Sequence, residues 1–262
     1  MRGKWKAILW LHTLRLWRYK LSFLNLILTE MLWILLFMLG IMLFVPKGMI
    51  AQACKEAFWV ITGWTLISQS SSLIGGWMSF FISIGMVEEH LLRGISPFKV
   101  IMGRLIPCTT VSIGILVLIG MLLGSMFNAN VFVINRPDII IIGIIIMIVQ
   151  AISYGIVVAA LSVRTGVPYN LLEVLNFALM GLLIMPLDSI RPPLNYVVSA
   201  IPYVIPMYLI RLSLRGGQIY LNPYYMLISL IESIIMSAIA IKEIEITEKY
   251  VRKNGVKGIG FM

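Results

Sequence analysis

Few side chains in this 262-residue chain could do chemistry, and their spacing narrows the choices. His12 and His90 stand alone, and Cys54 and Cys108 form no CxxC, so no metal-ligand set is spelled out. There is no HExxH, no GxSxG and no GxxxxGK[ST]. A resident metal, a cofactor or catalysis by this chain itself is therefore not expected. What the sequence does offer is acids and hydroxyls in apolar surroundings. Glu30 and Glu232 fall inside long apolar runs, where a charge at the bilayer centre costs about 2.5–3.5 kcal/mol on insertion scales. Each is expected to face a bundle interior, either lining a path or hydrogen-bonding a neighbouring helix. Ser68, Gln69, Ser70, Ser71 and Ser72 interrupt another run, either as a path lining or as a close-packing surface.

The elements that must position these groups follow from composition. The chain is 60% hydrophobic and only 12% charged, with a mean hydropathy of +0.97, against about 25% charged residues in a soluble domain. Repeated apolar windows of about twenty residues predict an all-α membrane protein. The net charge of +10 gathers at the ends of the apolar runs. That is the pattern of topology signals and lipid-headgroup contacts, and it argues against nucleic acid as a partner. Cys54 falls in a polar stretch and Cys108 at the head of an apolar run, so a disulfide framework is not expected. The N-terminus is too charged and interrupted for a cleaved signal peptide.

Along the chain, residues 1–20 mix tryptophans with Lys4, Lys6, Arg15, Arg18 and Lys20. They predict either an amphipathic helix lying in the interface or a positive flank to the first span. Six spans are expected at about 21–45, 57–84, 105–127, 139–163, 170–187 and 223–241, followed by a basic tail over 242–262. Between the last two spans, 192–214 is apolar but broken by Pro202 and Pro206, which suits a segment that dips in and returns. With six spans, 15 basic residues fall on the side of the termini and 6 on the other, so both termini are expected in the cytoplasm. Arg211 and Arg215 then lie at the outer face, either receiving an anionic headgroup or snorkelling to lipid phosphate.

The connection VEEHLLRGISPFKVIMGRL, residues 87–105, is longer than a turn between helices requires. Glu88, Glu89, His90 and Arg93 alternate with Val87, Leu91, Leu92 and Ile95, which predicts a short amphipathic helix over about 87–97 stopped by Ser96-Pro97. Such a helix in the cytosol is suited to receiving force from a soluble partner.

Taken in order, these features resemble the membrane subunit of type-2 ABC exporters. The resemblance covers nearly the whole chain: a basic N-terminal helix, six spans, a Glu-containing loop ending in SPFKVIMGRLI, and LLIMPLDSIRPPLNYVVSAIPYVIPMYLIR. In that family the last run forms short re-entrant helices, and the matching positions here are Pro186, Pro202 and Arg211. One departure is visible. The family has Gly-Thr-Leu-Glu about six residues before its Ser-Pro, whereas Glu88 and Glu89 lie nine and eight residues before Pro97. The resemblance implies that 87–97 is a coupling helix seated on a separate ATP-binding subunit. It also implies two copies of that ATPase carrying ATP and Mg, and a second permease copy or sister chain. The expected setting is the plasma membrane, and the expected cargo is amphipathic, lipid-like, drug-like or glycan. A proton-coupled secondary transporter using Glu30 and Glu232, or a non-transporting anchor subunit, are the alternatives.

Overall fold

The computed structural model describes residues 2–166, 190–215 and 223–256, with single positions between 174 and 187. Every regular element among them is helical. Helix α1 (Arg2–Arg18) is followed by α2 (Lys20–Met42). Helix α3 (Ile50–Ser71) runs through a π-helical turn, Ser72–Gly76, into α4 (Trp77–Ser83). Then come α5 (Met86–Leu92), α6 (Pro97–Phe127), α7 (Pro137–Thr165), α8 (Leu194–Ser199), α9 (Val204–Leu214) and α10 (Pro223–Asn254).

Three of these, α6, α7 and α10, are long and apolar enough to cross a membrane. The stretch Lys47–Ser83 joined to α5 passes the same test as a bent pair, with an 88° break, and 27–42 of α2 forms a shorter apolar helix. The expected fifth span, 170–187, lies mostly outside the described residues. Helix α7 is the axis of the bundle. In its most apolar stretch 56% of residues are buried, against 17% in α10, so α7 is surrounded by protein while α10 runs along the outside. Leu28, Leu32 and Leu36 on α2 and Ile231, Ile234 and Ile235 on α10 are exposed. Outward-facing leucine and isoleucine at this density need lipid as their solvent.

Side-chain bonds fix the two ends. At one end, Trp59 Nε1 donates to the Val131 carbonyl (3.0 Å) and Asn135 Nδ2 to that of Leu214 (3.0 Å). At the other, α5 lies across the base, Arg104 stacks over Trp77 (3.5 Å to the ring centre) and Arg164 pairs with Glu243.

Four boundaries differ from those read off the sequence, the first being α6, which begins at Pro97 and not near 105. Helix α3 begins at Ile50, so Cys54 is a buried helical residue and not part of a polar loop. Helix α10 does not end near 241 but continues to Asn254, and the expected tail is largely helix. Its last 13 residues project about 20 Å past the expected span. Ala240, Ile244, Thr247 and Val251 supply the reason, because they repeat at four and three residues and pack inward. Helix α5 is shorter than 87–97, as described next.

Candidate functional site

The sequence behind α5 is built to reverse the chain twice. Gly85 (φ 72°) and Gly94 (φ 67°) bracket the helix in the left-handed conformation, where a Cβ is strained. After Leu92 the chain closes with a paired C-cap: Ile95 N–H donates to the His90 carbonyl (2.8 Å) and Gly94 N–H to that of Leu91 (3.1 Å). Gly94 is therefore the stop. Ser96-Pro97, expected to end this helix, instead opens the next one. Ser96 is the N-cap of α6, its Oγ accepting the Lys99 N–H (3.4 Å), and Pro97 takes the first helical position.

Two faces of α5 are distinct. Val87 and Leu91, one turn apart, are buried in a cluster with Phe98, Ile101, Val163 and Val251. His90 leans on the Phe81 ring (5.4 Å between centres). Burial holds its imidazole below the ordinary value, against the opposing pull of Glu89. The acids in the first turn suit the helix dipole. On the other face, Leu92 is 88% exposed, and Arg93 bridges to Glu89 in solvent (2.5 Å). Glu88 Oε1 accepts the backbone N–H of Val256 (3.0 Å), so the end of α10 is tied to α5.

Two of the polar residues at 68–72 meet neighbouring helices. Gln69 accepts from Ser112 on α6, and the Ser70 carbonyl faces Gly155 so closely that an added Cβ would lie 2.8 Å away. Ser71 is buried, Ser68 half-buried, and Ser72, which starts the π-helical turn, is exposed. The side chain of Glu30 and the residue Pro186 lie outside the described residues. Both oxygens of Glu232 are shielded from solvent, with the Gln150 amide beside them.

The segment 192–214 forms a hairpin of α8 and α9. Tyr196 stacks with Tyr224 near the start of α10, while Tyr203, at the turn, meets Gln150. Gln150 lies about 20 Å along α7 from Pro137, so the tip sits deep in the bundle. There Gln150 Oε1 accepts the Tyr203 N–H (2.8 Å) and its Nε2 donates to Ser233 Oγ (3.2 Å). Pro202 falls in the turn, and Pro206 sits in the first turn of α9, where no intrahelical N–H bond is lost. The Pro206 carbonyl and Ile210 come within 3.0 Å of a Cβ built at Gly143, so α9 rides directly on the α7 backbone.

Arg211 and Arg215 have a partner that the sequence did not suggest. Arg215 makes two bonds to Glu56 (3.1 and 3.0 Å), and Arg211 Nη2 lies 3.6 Å from the same carboxylate. The arginines thus converge on α3, where headgroup contact or snorkelling was expected. Glu56 and Gln150 were both missed, because Arg215 and Tyr203, the partners that bring them into the site, lie far away in sequence.

No known family, curated protein or solved structure matches this chain.

Proposed function

We propose that this chain is the membrane-spanning permease subunit of an ATP-driven ABC exporter. Six spans place α5 and both termini in the cytoplasm of a plasma-membrane protein. A second copy or sister chain completes the path, and two separate ATPase subunits carry ATP and Mg. This chain hydrolyses nothing itself. The cargo is amphipathic, lipid-like, drug-like or glycan, and it moves outwards between the two permease chains.

One observation carries the proposal. A short helix, fixed at both ends by left-handed glycines, lies across the bundle base with an apolar underside and an exposed leucine on top. An exposed Leu92 on a held helix suits an apolar pocket on a partner. The tie from Val256 to Glu88 links α5 to the end of α10, and the pair Arg164–Glu243 links α10 to α7, giving a route by which a push on α5 reaches two helices. The test is ATPase stimulation by the reconstituted pair. Leu92→Asp should lose both stimulation and partner binding, because it buries a charge in the seam, while the bundle stays folded. Unchanged stimulation would rule α5 out as the seam.

A second reading has its own observation. Glu232 holds both carboxylate oxygens shielded from solvent beside the Gln150 amide, which suits a proton-binding group in a secondary transporter. Uptake into vesicles driven by a proton gradient without ATP, and abolished by Glu232→Gln, would favour it over the exporter.

A further inference from the structure

Helix α1 is held on α6 at two points. His12 Nε2 meets the Val100 carbonyl (3.2 Å), and Ile8 covers Gly103, where an added Cβ would come within 2.3 Å of Ile8 Cγ2. Trp10, Leu14 and Trp17, spaced along one face, point away from the bundle. Beside these contacts lies a groove of about 680 Å³. Its walls include Trp5, Ile8 and Leu11 of α1 on one side and Ile95, Ser96 and Lys99 on the other.

Three features define what such a groove can hold. Most of its wall is apolar, so a small soluble anion has nothing to set against it. Among the described residues lining it, the titratable ones are Lys99 and His90, with no acid. The two carboxylates of α5 are engaged elsewhere, Glu89 with Arg93 and Glu88 with the Val256 N–H. The third feature is depth. The groove touches α6 over its first residues, ahead of the apolar stretch expected from 105, and therefore lies at the headgroup level of the leaflet on the α5 side. The volume is that of a site for a molecule of some tens of atoms.

We infer that this groove binds one anionic phospholipid of that leaflet. Its phosphate sits at Lys99, and the upper part of an acyl chain lies along Ile8, Leu11 and Ile95. A zwitterionic lipid is the poorer occupant, because it brings its own cation towards Lys99. Gly94, Ile95 and Ser96 also belong to the connection between α5 and α6, so the bound lipid buttresses the seat of α5. This inference does not depend on what α5 docks against.

The test uses the full chain in nanodiscs of phosphatidylcholine with a minority of phosphatidylglycerol. A photoreactive benzoylphenylalanine replaces Leu11, which is exposed and lines the groove, and mass spectrometry identifies the adducts. The expected adduct is phosphatidylglycerol, well above its share of the bilayer. Lys99→Ala should lower it about fivefold, the factor that one basic residue at an anionic surface carries, and Lys99→Arg should keep it. Lys253→Ala, an exposed basic residue outside the groove, should leave it unchanged. Adducts in proportion to bulk lipid overturn the inference. So does a Lys99→Ala yield equal to that of the unsubstituted residue, or an equal loss with Lys253→Ala.

Discussion

Replacing Gln150 with Leu tests whether one side chain holds the hairpin tip inside the bundle. Gln150 is fully buried (0% exposed) and bonds both the Tyr203 N–H and Ser233 Oγ. Leucine fills a similar volume but makes neither bond. The two losses differ in size. A side-chain hydrogen bond between membrane helices averages about 0.6 kcal/mol, whereas a buried backbone N–H left unpaired costs about 1–3 kcal/mol. The backbone term dominates, and the sum of about 1.6–3.6 kcal/mol is roughly a 15- to 450-fold shift in local opening. Amide hydrogen exchange over 200–206, followed on the full chain in nanodiscs, should accelerate by that factor. Ser233→Ala removes the weaker bond, along with the Ser233 Oγ bond to the Ser229 carbonyl inside α10, but leaves the Tyr203 N–H paired, so exchange over 200–206 should change less than about threefold. Native protection in Gln150→Leu, or an equal effect from Ser233→Ala, would refute the account of the tip.

Other outcomes follow from the same contacts. Glu56→Gln leaves Arg211 and Arg215 facing a neutral amide; because Arg215 is half-exposed, the loss should stay near 1 kcal/mol and shrink in high salt, read from thermal unfolding in detergent. Gly94→Ala forces a Cβ into a left-handed position and should destabilise the α5–α6 turn by about 1–2 kcal/mol, seen as faster exchange over 86–96 with the far end unchanged. The lowered pKa of His90 means that the folded chain favours neutral imidazole more than the unfolded chain does. Its contribution is therefore complete above the ordinary value near 6.5 and is lost as pH falls through the depressed one. Protection of α5 should weaken between pH 7 and 5, and His90→Gln should flatten that dependence.

The long helices were legible because their signal is additive: α6, α7 and α10 each carry an apolar stretch that no single residue can mask. Boundaries were lost where charges outweighed a buried stripe. The start of α3 was hidden by Gln52, Lys55 and Glu56, although Cys54 and Phe58 already turn inward there. The extension of α10 was hidden by its lysines and glutamates, although the 240–244–247–251 stripe was present to be read. At α5 the helix and its amphipathic sense could be anticipated, but the stop was assigned to Pro97 when Gly94 comes first. Proline disfavours helix in the residue before it, while glycine in the left-handed region ends the helix by satisfying its last carbonyls. The contacts of Gln150 and of Glu56 were out of reach, because they join residues 53 and 159 positions apart through folding alone.

The most direct measurement of the central claim is an affinity isolation of the tagged chain from its host in mild detergent, with mass spectrometry of the proteins that remain bound. The account predicts a stoichiometric P-loop ATPase with the native sequence and its loss with Leu92→Asp. No ATPase, even after crosslinking before extraction, would contradict it, as would an ATPase retained equally by Leu92→Asp.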